Sequence, residues 1–290
     1  MDNNIIQSFW HSKNPEQNSF STLELLCIAS FLHHGHIFHL YTYTPNDATM
    51  QYLRNQLASC KNFENLHIIN ANNILPQSEI FFDCKKNKIS IAGFSDYFRY
   101  NLIYQVGGWW VDMDVICMQY FNFDSPYIFA TERQGEHNSR LATCVIKGEQ
   151  SSAFFLQLIN KARAIIDNND YIPNKTLLDK LLKSLKLSKK RKEKTINWGI
   201  IGPEFLDKEI KENAMQDFVC PPEYFCEIDW YNSRYFIDPN YTLPSNKNIY
   251  ALHAWNATWG GTKQEKNSAY SKECLIEKLK QQYLTPPPTS

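Results

Sequence analysis

The chain has 290 residues, 43% hydrophobic and 14% aromatic, enough to bury a sizeable core in one large domain. Lys and Arg total 30 and Asp and Glu total 30, so the formal net charge is zero. That balance argues against a global field for nucleic acid, and no stretch approaches the ~20 apolar residues of a membrane span. The eight cysteines form no Cys-x-x-Cys pair, and several lie in apolar runs. They read as reduced, buried thiols in a reducing compartment. Met1-Asp2-Asn3-Asn4 shows no basic region leading into a long apolar run, so a cytoplasmic location is expected.

Residues 5–10 are an apolar strand candidate. Ser19, Phe20, Ser21 and Thr22 offer caps for a largely buried helix over residues 23–32, which ends at His33-His34-Gly35-His36. Residues 37–43 alternate and predict a second strand. Pro45, Asn46 and Asp47 make a turn into a helix that runs to about residue 58, and residues 66–69 predict a third strand. Strand, helix, strand, helix, strand argues for a parallel sheet with crossover helices, hence an α/β fold. Residues 71–91 read as loop. A helix capped by Ser95 follows, with Phe98, Leu102 and Val106 as its buried stripe and Gly107-Gly108 as its stop. Trp109, Trp110 and Val111 suit a strand, and residues 115–120 continue it or form an edge.

Residues 127–131 and 142–147 predict two strands around a polar, hairpin-like loop at 132–140. Residues 151–166 predict an amphipathic helix, and residues 175–187 another. Residues 197–204 turn into a short helix. Residues 218–225 and 228–236 are aromatic-rich strand or irregular segments, and residues 249–259 a strand entering a polar-aromatic loop. Residues 271–283 predict a last helix, before a Pro-rich tail expected to be disordered. The expected organisation is one domain over residues 1–270, with a helical, basic insertion at about 151–197, then a C-terminal helix and tail over 271–290.

Asp112 and Asp114 end the apolar strand that follows the double glycine. In a straight strand both point to one face, with Met113 on the other. Two carboxylates so placed repel and desolvate each other unless a positive charge lies between them. A divalent cation is the simplest candidate. Mg²⁺ or Mn²⁺ suits, because each takes oxygen ligands and keeps positions open for phosphate oxygens. A solvated or calcium-bearing turn is the bland alternative, but no calcium-loop glycines or further acids follow. Asp96 and Arg99 stand at i and i+3, which by spacing alone reads as a surface ion pair worth at most ~1 kcal/mol. The alternative is an acceptor–donor pair that grips a polar ligand.

His253 ends a late strand beside Trp255, Asn256, Thr258 and Trp259, which makes it a candidate for a cleft. It could complete a Mn²⁺ ligand set or hydrogen-bond a phosphate. Trp10 and His11 end the first strand, where ligands of open α/β sheets collect. Trp10 can stack on a nucleobase or simply pack on a loop. His33, His34, His36 and His39 are split between a helix end and a strand and are not expected to share a focus. Lys183, Lys186, Lys189, Lys190, Arg191, Lys192 and Lys194 make a basic run. A solvated helix end is its bland reading, and peripheral contact with an anionic membrane the sharper one. Nucleic acid is disfavoured because no aromatic residues interleave the charges. The sequence contains no P-loop, no Gly-x-Gly-x-x-Gly and no Gly-x-Ser-x-Gly, so ATPase, classical dinucleotide-binding and serine-hydrolase readings lack support.

Ser95-Asp96-x-x-Arg99 followed by Gly107-Gly108-Trp109-Trp110-Val111-Asp112-Met113-Asp114 resembles the sugar-binding region containing the DXD motif of GT-A glycosyltransferases. The groups it is most similar to are bacterial capsular-polysaccharide and lipopolysaccharide glycosyltransferases, α-1,4-galactosyltransferases, yeast-type α-1,6-mannosyltransferases and the catalytic domains of clostridial glucosylating toxins. Ile6-Gln7-Ser8-Phe9-Trp10 resembles the first strand of this group, and Ser30-Phe31-Leu32-x-x-Gly35-His36-x-x-x-Leu40-Tyr41 the following helix and strand. Gly202-Pro203-Glu204 resembles a downstream turn, and Leu252-His253-Ala254-Trp255 a C-terminal His/Trp segment.

The resemblance implies a GT-A-like, Rossmann-like mixed and mostly parallel sheet flanked by helices. It implies Asp114 as direct metal ligand and Asp112 as a contact to the ribose or, through water, to the metal. Asp96 and Arg99 would hold the donor sugar, which displaces the surface-pair reading. Trp10 would stack on the base, and His253 would meet the metal or the diphosphate. Glu204 is a candidate on the acceptor side, and Trp255 and Trp259 are further substrate-binding candidates. The implied reaction moves a hexose or N-acetylhexosamine from a nucleotide sugar, a UDP-sugar favoured, to a hydroxyl of a glycan or lipid-linked glycan acceptor. Bacterial capsule or lipopolysaccharide synthesis is the expected setting. Retention of configuration is implied, and with no convincing nucleophile in the sequence the expectation is same-face displacement. The rivals are a toxin-type glycosyltransferase acting on host protein and a non-catalytic nucleotide-sugar or carbohydrate-binding protein. A metal-dependent phosphodiesterase would need more His and Asp ligands.

Overall fold

Period-two side chains set the strands, and period-three-and-four side chains the helices packed on them. The computed structural model describes residues 4–11, 20–83, 88–89, 91–136, 138–168, 171–173, 200–245, 248–260 and 265–284. β1 (Ile5–Phe9), α1 (Thr22–His33), β2 (Ile37–Thr42), α2 (Ala48–Leu57) and β3 (Leu66–Asn70) follow the predicted order. Glu24 reaches back to accept the Ser21 backbone N–H at 2.7 Å, and Asp47 accepts from the Met50 N–H at 2.9 Å. Each helix start thus gains a carboxylate acceptor for backbone donors.

Residues 71–91 are not the plain loop expected. They carry short 3₁₀ turns and the strands β4 (Phe81–Asp83) and β5 (Lys88–Ile89). β4 pairs antiparallel with β5 and with β10 (Tyr171–Pro173), a partner far along the chain. α3 (Ile91–Val106) begins four residues before Ser95, so Ser95 is a helix-interior residue and not the cap. Phe98 and Leu102 are buried, but Val106 is 41% exposed at the helix end and leaves the predicted stripe. Gly107 and Gly108 do stop the helix, with φ of +73° and +87°. A Cβ at Gly107 would also meet the Gln150 nitrogen at 2.8 Å. The chain then enters β6 (Gly108–Val111) and β7 (Val115–Cys117). β8 (Ile128–Arg133) and β9 (Ser139–Gly148) pair through Glu132–Arg140 and Arg133–Ser139, so their ladder takes up much of the expected loop.

α4 (Ala153–Asn168), α5 (Pro203–Glu212), β11 (Ala251–His253) and α6 (Leu275–Tyr283) complete the named elements. The aromatic-rich segments around 218–236 form 3₁₀ turns rather than strands. The helix expected over 175–187, the basic run at 183–194 and the Pro-rich tail lie outside the described residues. Among the described residues, no helix is long and apolar enough to cross a membrane.

Six strands pair in the order β3-β2-β1-β6-β9-β8. The β3–β2, β2–β1 and β1–β6 pairs are parallel, and β6–β9 and β9–β8 antiparallel. A mixed, mostly parallel sheet flanked by helices is what the resemblance implies for the sheet. Alternation along the strands divides the apolar residues between two cores. Ile6, Trp109 and Val111 pack with Leu26 of α1, Leu53 of α2 and Leu279 of α6. Phe9, Trp110 and Ile146 pack with Phe98 of α3, Leu158 of α4 and Leu206 of α5. Buried Glu209 of α5 accepts from Lys161 Nζ and Gln157 Nε2 of α4, at 2.7 and 2.9 Å, which ties α5 to the second layer.

Candidate active site

β1 lies between β2 and β6, so the chain leaves it toward one neighbour while the other arrives from much later in sequence. A crevice opens at the carboxyl ends of strands where connections diverge in this way. Trp10 follows β1 and lines that crevice, and Asp112 and Asp114 follow β6. The two carboxylates are not on a straight strand, as the spacing suggested. The Asp112 N–H donates to Cys144 O at 2.8 Å, and the Val115 N–H donates back to Asp112 O at 3.0 Å, so residues 112–115 turn.

The segment after β11 grips this turn. The Ala254 N–H donates to Asp114 O at 2.8 Å, and the Asn256 N–H to Asp114 Oδ2 at 2.6 Å. Trp255 takes a left-handed conformation (φ +57°, ψ +57°) to present Asn256. A bulky residue there stores about 1–2 kcal/mol of strain. Packing holds it: Trp255 Nε1 donates to Ile228 O at 2.6 Å, and the ring lies 3.9 Å from the His253 ring. His253 Nε2 stands 3.3 Å from Asp114 Oδ1.

Arg99 closes the other side. Its Nη2 lies 3.1 Å from Asp96 Oδ1 and its Nη1 3.2 Å from Asp112 Oδ1. It also donates to Thr143 O, to Ser95 O at 3.3 Å and to Ser95 Oγ at 3.4 Å. These contacts match the five N–H donors that an arginine carries. The guanidinium also sits 4.8 Å from the Trp110 ring, whose Nε1 donates to Asp112 Oδ1 at 2.9 Å. Asp96 and Arg99 are 7% and 4% exposed, so this is a buried pair, not a surface one.

Burial pushes the Asp96 carboxyl up to about 6 despite the attraction of Arg99. Burial likewise raises Asp112 against the pull of Arg99, and the Asp114 charge adds to the rise. Asp114 goes the other way: burial would raise it, but His253 and the Asn256 N–H hold it below the usual range. Burial disfavours a charged His253, yet the Asp114 carboxylate keeps it well above its ordinary value.

Asp112, Asp114 and His253 each offer a ligand atom, all within 4.8 Å of one another. The Asn256 Oδ1 next to them is buried without a hydrogen-bond partner. Two carboxylates and an imidazole fit Mn²⁺ or Mg²⁺, with oxygen ligands predominating. None of His33, His34, His36 and His39 belongs to such a group among the described residues.

Two cavities meet at the carboxylates. One, about 410 Å³, is lined by Trp10, Glu24, Asp96, Arg99, Asp112 and Asp114. The other, about 640 Å³, is lined by Asp112, Asp114, His253, Trp255, Glu132 and Trp230. Trp10 is already stacked on Phe20, with centroids 4.2 Å apart, so at most its other face is open to a ligand. Trp259 lines neither cavity; it is core, with Nε1 donating to Ala254 O at 2.6 Å. Glu204 is exposed and lines neither, whereas its neighbour Pro203 lines both.

Several site residues carried no sequence signal. Glu24 passes unremarked inside the helix expected over residues 23–32, yet it faces the smaller cavity and accepts from Asn256 Nδ2 at 3.3 Å. Thr143 and Cys144 are ordinary strand residues until pairing brings β9 beside β6. Trp110 is the exception: an indole donor two residues before an acid, on the same side of a strand, could have been paired with it.

A sequence model described as "Capsular polysaccharide synthesis protein" matches residues 40–213, more than half of the chain. No curated protein sequence matches. Among solved structures, the PaToxG glycosyltransferase is 13% identical over 73% of this chain and 70% of its own, with a TM-score of 0.46. The glycosyltransferase domain from the YGT toxin is 9% identical over 75% and 79%, with a TM-score of 0.42. The galactosyltransferase LgtC, solved with donor and acceptor sugar analogs, is 10% identical over 61% and 70%, with a TM-score of 0.37. These structural likenesses are distant. The matched segment runs from β2 through α5 and contains Asp96, Arg99, Asp112 and Asp114, and on that match the chain belongs to the capsular polysaccharide synthesis protein family.

Proposed function

We propose that this chain is a divalent-cation-dependent glycosyltransferase. It moves a hexose or N-acetylhexosamine from a nucleoside diphosphate sugar, a UDP-sugar by preference, to a hydroxyl of a glycan or lipid-linked glycan in surface-polysaccharide assembly. The observation that carries the reading is the chain of contacts from Asp96 through Arg99 to Asp112, ending at the Asp112–Asp114–His253 group on the border of two cavities. One cavity suits a donor and the other an acceptor.

Asp112, Asp114 and His253 would hold Mn²⁺ or Mg²⁺, which when bound neutralises charge developing on the leaving diphosphate. Asp96 accepts from hydroxyls of the donor sugar. Arg99 has its donors committed within the protein, so it acts by positioning Asp96 and Asp112 and by offsetting their charge. Trp10 offers its outer face to the base. Trp230 and Glu132 lie on the acceptor side, and burial of the shared floor excludes water that would otherwise hydrolyse the donor. Among the described residues that line the cavities none reads as a convincing nucleophile, which favours same-face displacement with retention: the bond from the sugar to the leaving phosphate breaks, and that phosphate takes the acceptor proton as the new glycosidic bond forms.

The test is nucleotide release from a panel of sugar nucleotides with Mn²⁺, with and without acceptor extracts. One donor should be turned over, and Asp114→Asn, folded by circular dichroism, should lose at least about 100-fold, the upper figure for removing even an outer-shell metal partner. Tight binding of a sugar nucleotide with no release under any condition would replace this reading with a binding protein.

A further inference from the structure

Behind the carboxylate pair lie sulfur donors that the proposed transfer does not use. Cys144 of β9 and Cys226 are both buried, with Sγ atoms 3.7 Å apart. Together with His253 they form a second group of ligand atoms within 4.8 Å of one another. Two thiolates at 2.3 Å from one tetrahedral zinc ion stand about 3.8 Å apart. The two thiols, which share a hydrogen bond at this spacing, thus already stand as far apart as two ligands of one ion would. His253 has a nitrogen for this role. Its Nε2 faces Asp114, whereas Nδ1 is buried with no hydrogen-bond partner. The larger cavity reaches both Cys144 and His253, which gives an ion a way in and a water a place as fourth ligand.

The backbone fixes all three residues to the carboxylate site. Cys144 O accepts the Asp112 N–H, Cys226 bridges to Leu252, and the His253 N–H donates to Phe225 O at 3.1 Å. We propose that Cys144, Cys226 and His253 form a second metal site, selective for a soft divalent cation such as Zn²⁺, whose occupation disables the Asp112–Asp114–His253 site. Binding releases the two thiol protons to solvent. A neutral imidazole ligates one metal at a time. With Nδ1 on zinc, Nε2 keeps its proton and donates it to Asp114, the carboxylate–histidine–zinc arrangement. The Nε2 lone pair is then lost to the carboxylate side. This exclusion rests on the metal site of the proposed function; the sulfur site itself does not.

Cobalt(II) is the probe, because thiolate ligation gives it a near-ultraviolet charge-transfer band that oxygen and nitrogen ligands do not. Metal-stripped, reduced full chain is titrated with Co²⁺ and then with Zn²⁺. The band should saturate at a single equivalent and be bleached by Zn²⁺. Cys144→Ser and Cys226→Ser should each weaken Co²⁺ binding by more than the roughly 10–100-fold that an outer-shell partner is worth. Asp114→Asn should keep the band. No band in the unaltered protein, or a band that survives in the double serine variant, overturns the sulfur site.

The unaltered chain also tests the exclusion, by electron paramagnetic resonance of bound Mn²⁺. One equivalent of Zn²⁺ should release it. Mn²⁺ that stays bound beside the cobalt band overturns the exclusion and leaves the proposed function standing. A chain that binds no Mn²⁺ at all overturns the exclusion and the carboxylate metal site together, while the cobalt band still decides the sulfur site.

Discussion

Asp96 sits where water barely reaches it, paired with Arg99, which bridges it to the carboxylate of Asp112, with Thr143 Oγ1 3.5 Å away. Tyr100 also feels its charge. Its carboxyl, raised from 3.8 to about 6, binds a proton more tightly folded than unfolded. The contribution to stability is therefore fully present below about pH 4 and is lost as pH rises through about 6, by something of the order of 3 kcal/mol. Asp96→Asn should abolish this loss. The stability of the variant relative to wild type should climb between pH 4 and 6 and level off above, as read from urea midpoints across that range. Parallel pH curves would refute the assignment. The same residue shows what spacing could not reveal. An Asp and an Arg at i and i+3 look like a surface pair when the helix around them is unknown. Here Phe94, Tyr97, Phe98, Tyr100 and Leu102 bury α3 on several sides, and the pair goes in with them.

At the scale of elements, what local chemistry specifies was readable. β1 to β3 and their helices follow alternation, caps and turn residues, and the double glycine needs its positive φ. What depends on distant partners was not: β4 is a strand because β10 and β5 flank it, and Thr143 and Cys144 reach the site only because β9 pairs with β6. Gly148, at the end of β9, makes such a dependence testable. A Cβ there would meet Ile103 of α3 at 2.7 Å and collide with the Phe155 ring of α4. Strand and both helices close on the space of one hydrogen. Gly148→Ala should destabilise the fold by about 1–3 kcal/mol through overpacking. A thermal melt at unchanged metal and pH reads it, and an unaltered midpoint would mean that the layers are looser than this packing.

For the molecule as a whole, the carboxylate pair is a partition. The smaller cavity carries Asp96 and Trp10, the larger carries Trp230 and Glu132, and both share Asp112 and Asp114. The resemblance carried by residues 94–114 implied a donor side, and the sequence said little of where an acceptor would lie. Glu204 was the candidate, but the chain turns it to solvent and puts Pro203 in the wall. Trp230 is better placed. It is 45% exposed, lines the larger cavity, and opens a turn that Arg133 steadies through Glu227 O at 3.0 Å and Asp229 Oδ1 at 3.4 Å. An exposed indole at a cavity mouth can lie against the apolar face of a sugar ring, for a gain of about 1 kcal/mol. Trp230→Ala touches no core, so its stability should stay within about 0.5 kcal/mol of wild type. Its KM for the acceptor should rise roughly five-fold, the equivalent of that contact. Donor hydrolysis without acceptor should be unchanged, because the substitution lies across the partition. If hydrolysis falls in step with transfer, the two cavities do not divide donor from acceptor, and Trp230 belongs to the donor side.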